Sequence, residues 1–220
     1  MRSRMILGLL LVPLAFSSGH AGEIRGTLRL SPSSTESSAA PNPYPGTAHA
    51  LAAPRHPPRG LVTDAVIWIE QVPAGADPAA SGPVPRLAQK DQSFVPRVLP
   101  VAIGTPVDFP NMDAIYHNVF SLSPVRRFDL GKYPRGQSRR VVFGKPGLVN
   151  VYCEIHSDME GFIVVLPNHV FTQPDDSGSF RLPPLPAGRY VLHMWHPDRP
   201  EVKREVTVPA SGTVTVDLES

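Results

Sequence analysis

Apolar and polar residues alternate at period two through most of this chain, and Gly and Pro interrupt the alternation about every eight to twelve residues, a pattern that predicts short β-strands. Residues 23–30 form one such run and residues 65–70, Ala-Val-Ile-Trp-Ile-Glu, a second. The pattern resumes near Val84: residues 93–101 and 107–109, a segment headed by His117, then 139–143 and 148–153 with Gly144-Lys145-Pro146-Gly147 as the turn between them. Beyond Val165 come residues 179–182, 189–196, 202–208 and 213–218, with turn signals at residues 175–178 and 184–188. The expected fold class is all-β, with two β-sandwiches.

Three segments break the pattern. Residues 1–21 carry Arg2 and Arg4, then an apolar run from Met5 to Phe16, then small residues, which reads as a secretory signal peptide. The run is too short to span a bilayer, so a soluble, exported, periplasmic protein is expected, an uncleaved N-terminal anchor being the alternative. Residues 31–60 are rich in Ser, Pro and Ala and have little to bury, so they read as a disordered loop. His49 and His56 lie in it; a mobile donor loses entropy on binding a metal, which argues against them as ligands. Residues 75–85 read as a linker.

Candidate chemistry concentrates in residues 149–165, which read as strand, turn, strand, with Cys153, His156 and Met159 spaced Cys-x2-His-x2-Met around the turn. His117 supplies a second imidazole from upstream. Each residue has an ordinary reading: Cys153, in line with Val149 and Val151, as a small buried hydrophobe, the histidines as satisfied polar side chains, Met159 as core filling. Together they are the donor set of a mononuclear blue-copper site. Cu(I) favours soft sulfur and Cu(II) favours nitrogen, and two imidazoles, a thiolate and a weak thioether suit both. Zinc is the competing metal, with Glu154 or Asp158 as a further donor, but it has little use for a thioether.

This pattern resembles the cupredoxins, and the short Cys-to-Met spacing looks most like the amicyanin type. The resemblance covers residues 94–165 and implies one copper per chain held by His117, Cys153, His156 and Met159, with His117 deeper and His156 nearer solvent. It also implies that Asn118 ties the two ligand-bearing segments together, orienting the ligands from outside the metal's own shell. Residues 176–180 and 186–190, Asp-Ser-Gly-Ser-Phe and Pro-Ala-Gly-Arg-Tyr, resemble the carboxypeptidase regulatory-like family, a transthyretin-like sandwich. That family opens with strands like residues 23–30 and 65–70, so the expected organisation is signal 1–21, opening strands 22–83, cupredoxin unit 84–165 inserted, and the rest of the regulatory-like sandwich at 166–220. Tandem units are the alternative. The combined layout is similar to proteins of the methylamine-utilisation type.

Composition narrows the function further. Without Arg2 and Arg4 the chain has 19 basic and 19 acidic residues, which leaves no global field for a nucleic-acid backbone. One Cys in an oxidising compartment cannot form an intramolecular disulfide, and metal ligation gives it a use. Arg126, Arg127, Lys132, Arg135, Arg139, Arg140 and Lys145 have only Asp129 as a local counter-charge. They read as a solvated basic face or as a docking patch for an acidic redox partner. His193 and His196 point to opposite sides of a strand and cannot chelate one ion, and neither they nor His169 form an expected second site.

The expectation is therefore an electron carrier and not an enzyme, since neither a catalytic triad nor a phosphate-binding loop is present in the sequence. Its partner would be a redox protein such as a c-type cytochrome or a periplasmic dehydrogenase, with no nucleic acid and no stable membrane insertion. The alternatives are a copper carrier or scavenger, and a binding or scaffold module with structural copper.

Overall fold

A computed structural model describes residues 21–31 and 60–220. The expected signal segment but for Ala21, and the expected loop but for Ser31 and Gly60, with His49 and His56, lie outside the described residues. Among the described residues the regular structure is β, apart from one 3-10 turn at Val62–Asp64. No helix of the described residues is long and apolar enough to cross a membrane.

The strands in chain order are β1 (Ala21–Arg29), β2 (Val66–Ile69), β3 (Ala88–Lys90), β4 (Ser93–Val95), β5 (Val98–Ala102), β6 (Pro106–Pro110), β7 (His117–Ser121), β8 (Phe128–Tyr133) and β9 (Ser138–Val142). They continue as β10 (Gly147–Tyr152), β11 (Glu160–Leu166), β12 (Phe171–Thr172), β13 (Ser179–Arg181), β14 (Leu185–Pro186), β15 (Gly188–His196), β16 (Arg199–Val208), β17 (Thr213–Thr215) and β18 (Leu218–Glu219).

The middle of the chain makes one sandwich. Its larger sheet runs β5-β11-β10-β7-β8, with β5 and β11 parallel and the other pairs antiparallel. Facing it are the β3–β4 hairpin and the β6–β9 pair, joined by bridges from Arg86 to Asp108 and from Gln89 to Asn111. Alternation sends Val107 and Phe109 of β6, Val149 and Val151 of β10 and Ile163 and Val165 of β11 into one shared core.

Strands from both ends of the chain make the other sandwich. One sheet is β12-β2-β15-β16. The opposite one is built on β1, which pairs antiparallel with β13 and β14 and parallel with β17 and β18. Residues 184–188, expected as a turn only, contain β14, because Leu185 and Pro186 align with Gly22 and Ala21 at the start of β1. Ile24, Leu28, Ile67, Ile69, Leu192 and Met194 fill this core. Gly26 sits where a Cβ would lie 1.8 Å from the Val216 carbonyl oxygen, so only glycine lets the chain ends approach this closely.

The two sandwiches meet through a third apolar cluster. Val98, Phe162, Val164 and Leu166 pack against Val66, Trp68, Phe171 and Trp195. At one end of this seam the Arg97 guanidinium reaches both Asp64 and Asp198 at 3.0 Å. It also lies 5.4 Å from the centre of the Phe162 ring.

Candidate metal centre

Alternation along β10 continues one residue past its end, so the Cys153 sulfur enters the core beside Val149 and Val151. Cys153 is 5% exposed and is the free cysteine of the chain. His117 opens β7 at the same end of the sheet and is fully buried. His156 lies on the connection between β10 and β11 and is half-buried.

These three side chains converge. The Cys153 Sγ lies 3.8 Å from His117 Nδ1 and 3.8 Å from His156 Nδ1. The two imidazole rings are 4.8 Å apart between centres. Among the described residues, His117, Cys153 and His156 are a group of ligand atoms all within 4.8 Å of one another. Met159 is 1% exposed and shares their core, and its N–H donates to the His156 carbonyl at 3.0 Å, closing the turn.

The protonation pattern follows from the partners. The outward nitrogen of His117, Nε2, lies 2.8 Å from Asp113 Oδ2. A carboxylate only accepts, so Nε2 carries the proton and Nδ1 turns a lone pair toward the sulfur. Asp113 also accepts the backbone N–H groups of Asp91 at 2.7 Å and Gln92 at 2.9 Å. Both donors sit at positive φ, 53° and 55°, in the β3–β4 turn. Burial pushes the Asp113 carboxyl up, but the Gln92 amide, His117 and the Asp91 amide together outweigh it and hold it below the usual carboxylate range. Burial and the neighbouring His117 lower the basicity of His156, which favours the neutral, donating imidazole.

Asn118 links the two segments that carry donors. Its Oδ1 accepts the Glu154 N–H at 3.2 Å, and its Nδ2 donates to Asp129 Oδ1 at 2.7 Å. Behind the site, Asn111 Nδ2 donates to the carbonyls of Ile115 and Tyr133, each at 2.9 Å, and so fixes the loop leading to His117. Asp113 is the residue that the sequence reading missed. Its signal is a carboxylate four residues ahead of a candidate ligand histidine, which has meaning only once the loop is known to curl back.

The geometry fits a metal ion. An ion about 2.3 Å from sulfur and about 2.0 Å from nitrogen, with ligands roughly 120° apart, separates sulfur and nitrogen by about 3.7 Å. Both pairs here stand at 3.8 Å. Spacing alone does not choose the element; donor chemistry does. The carboxylates of Glu154 and Asp158 are not in the converging group, and Glu154 lies toward Lys132, 3.7 Å away. A buried Met at the same turn suits copper better than zinc.

Among the described residues the other histidines do not assemble such a group. His169 faces Asp77, and the His196 Nε2 donates to the Leu61 carbonyl at 3.0 Å. His193 stands between Glu201 and Glu70. Beyond Asp129 within the basic run, the fold brings counter-charges from outside it: Arg140 binds Asp108 across the β6–β9 pair and Lys132 reaches Glu154. Both acidic partners are remote in sequence and close in space.

No family model matches the sequence, and no curated protein does. Among solved structures, the chain is similar to a purple cupredoxin from Nitrosopumilus maritimus at 22% identity, over 37% of this chain and 98% of that one, with a TM-score of 0.34. It is similar to a Cu(I) form of amicyanin at 21% identity, over 43% of this chain and 96% of that one, with a TM-score of 0.36. A copper-containing nitrite reductase from Thermus scotoductus SA-01 is 31% identical over 43% of this chain, with a TM-score of 0.36, and the match spans 24% of that enzyme's length.

Proposed function

We propose that this chain is a mononuclear copper protein that carries single electrons between partner proteins, with His117, Cys153 and His156 as ligands and Met159 as a weak fourth donor. The observation that carries this reading is a buried free thiol 3.8 Å from the Nδ1 atoms of two imidazoles, one enclosed and one near the surface. Bound there, copper would supply a one-electron couple between Cu(I) and Cu(II).

The chain's own part is to hold the donors still and dry. Asp113 fixes the orientation and proton of His117, and Asn118 clamps the segment after Cys153 to β7. The apolar core around Cys153 keeps water from the sulfur. His156 is partly exposed, and Ile155 next to it in sequence is exposed, so a partner that docks there comes close to a ligand. The exposed Lys132 of β8, Arg135 of the following turn and Arg139 of β9 would speed encounter with an acidic partner, in a way that salt weakens.

On the strength of the N-terminal pattern, we place the protein in the periplasm, with a c-type cytochrome or a periplasmic dehydrogenase as partner. The middle sandwich we read as an insertion into a regulatory-like accessory sandwich. Delivery of copper in place of electrons is the second reading, and the partial exposure of His156 favours it as a route for the ion.

Adding Cu(II) to the purified protein is expected to produce an intense visible thiolate-to-copper band that a reductant bleaches and an oxidant restores. In C153S the band is absent. A wild-type protein that stays colourless sinks the reading, and rapid loss of the ion to a mild chelator favours delivery.

A further inference from the structure

Away from the His117–Cys153–His156 group, the seam between the sandwiches opens into a cleft of about 590 Å³. Its size, and its place between two folded units, are those of small-molecule sites. One wall is the outer face of the β2-β15-β16 sheet, presenting Trp68, Glu70, His193, Trp195, Glu201 and Lys203; the other is the apolar outer side of β10 and β11. The register explains the first wall. Trp68 pairs with His193 and His193 with Lys203, so these side chains share one face, while Ile67, Ile69, Leu192 and Met194 turn into the core on the other.

This end of the seam is built differently from the rest. Elsewhere the sandwiches are joined by Val66, Val98 and Phe162, which is what adhesion alone requires. In the cleft an imidazole with a 4% exposed side chain is held between two carboxylates, its Nδ1 2.8 Å from Glu201 and its Nε2 3.3 Å from Glu70. Its ring stacks on Trp68 at 4.8 Å and 26°. Lys203 stands 3.7 Å from Glu201. Glu201 thus contacts both His193 and Lys203, and Glu70 contacts His193, so each carboxylate already has a partner within the protein.

What remains on offer is two half-buried indoles, and carboxylates and an ammonium with acceptor and donor capacity to spare at the rim. A flat apolar face edged with groups that both donate and accept hydrogen bonds satisfies that set. We propose that the cleft binds a neutral saccharide, a mono- or disaccharide unit, against Trp68 and Trp195, with its hydroxyls on Glu70, Glu201 and Lys203. The site is independent of the metal centre and of its function.

The chain has two tryptophans and both line the cleft, so their fluorescence and indole N–H resonances report on it alone. The full protein is titrated with cellobiose, maltose and chitobiose, and with glucose 1-phosphate and phenethylamine as anionic and cationic probes. At least one disaccharide is expected to shift the indole signals saturably, equally in wild type and C153S, and Glu201→Gln is expected to weaken that binding about tenfold. Glu201 is at the rim, and an unchanged urea midpoint confirms that this variant folds. No saturable shift up to roughly 100 mM of any disaccharide overturns the proposal, that range reaching well past millimolar affinity. A response to the charged probes alone also overturns it, as does full affinity in Glu201→Gln.

Discussion

The terminal sandwich fills its core mainly with Leu, Ile and Val and the middle one mainly with Val and Phe, and they finish those cores in opposite ways. The terminal one is sealed by backbone: the start of the described chain lies between strands from its end, and Gly26 allows contact too close for any side chain. The middle one is left unsealed at the end where β7 starts and β10 stops, and His117, Cys153 and Met159 take places where aliphatic residues would otherwise close the core. The same alternation that makes a sheet stable thus makes a site when donors occupy its last inward positions. The terminal sandwich is closed on itself, and the middle one holds the converging donors.

That division predicts that the coupling between the halves is structural, and Arg97 is the place to break it. Arg97 and Asp64 are 7% and 8% exposed in their side chains, so Arg97→Ala leaves a buried carboxylate without its cation. The expected loss is about 3–5 kcal/mol in urea unfolding, with the two sandwiches melting separately. A loss below about 1 kcal/mol with a single transition would show that the apolar seam alone joins them.

The next effect belongs to the middle sandwich alone. Asp113→Asn keeps one acceptor oxygen for His117 and the Gln92 N–H, which share Oδ2, but turns an amide donor toward the Asp91 N–H that Oδ1 accepts. Competition with a chelator is expected to show metal affinity lower by about 10–100-fold. Unfolding of the terminal sandwich should not change. Equal affinity in the variant would mean that Asp113 holds the β3–β4 turn and contributes nothing to the ligand.

Which of these features can be read from the sequence depends on their range along the chain. The strands at β1, β2, β10 and β15 follow from alternation, and the inward direction of Cys153 follows from its spacing to Val149 and Val151. His117, Cys153 and His156 stand out by donor chemistry before any fold is known. Asp113 does not, because its role depends on a loop bending back toward the β3–β4 turn. The Arg97 cluster is harder still, since its carboxylates lie 33 and 101 residues away. The parallel pairing of β17 and β18 with β1 joins opposite ends of the chain and leaves no local mark.

The smallest effect tests how the seam responds to acid. Burial pushes both aspartates at Arg97 upward, but with opposite outcomes. At Asp64 burial exceeds the pull of Arg97, and the carboxyl is raised. At Asp198 the Arg97 hydrogen bond and charge, with the Gly60 N–H, exceed burial, and the carboxyl is lowered. A lowered group contributes stability above its unfolded value of about 3.9 and loses it as pH falls through the lower folded value. A raised one costs stability above its folded value, and that cost disappears on acidification. Asp198→Asn should therefore cost about 1 kcal/mol at pH 7, and the difference from wild type should shrink below about pH 4. If urea midpoints instead differ by the same amount at both pH values, Asp198 acts through its hydrogen bond from the Gly60 N–H and not through its charge, and the seam is no more acid-sensitive than the apolar cores on either side of it.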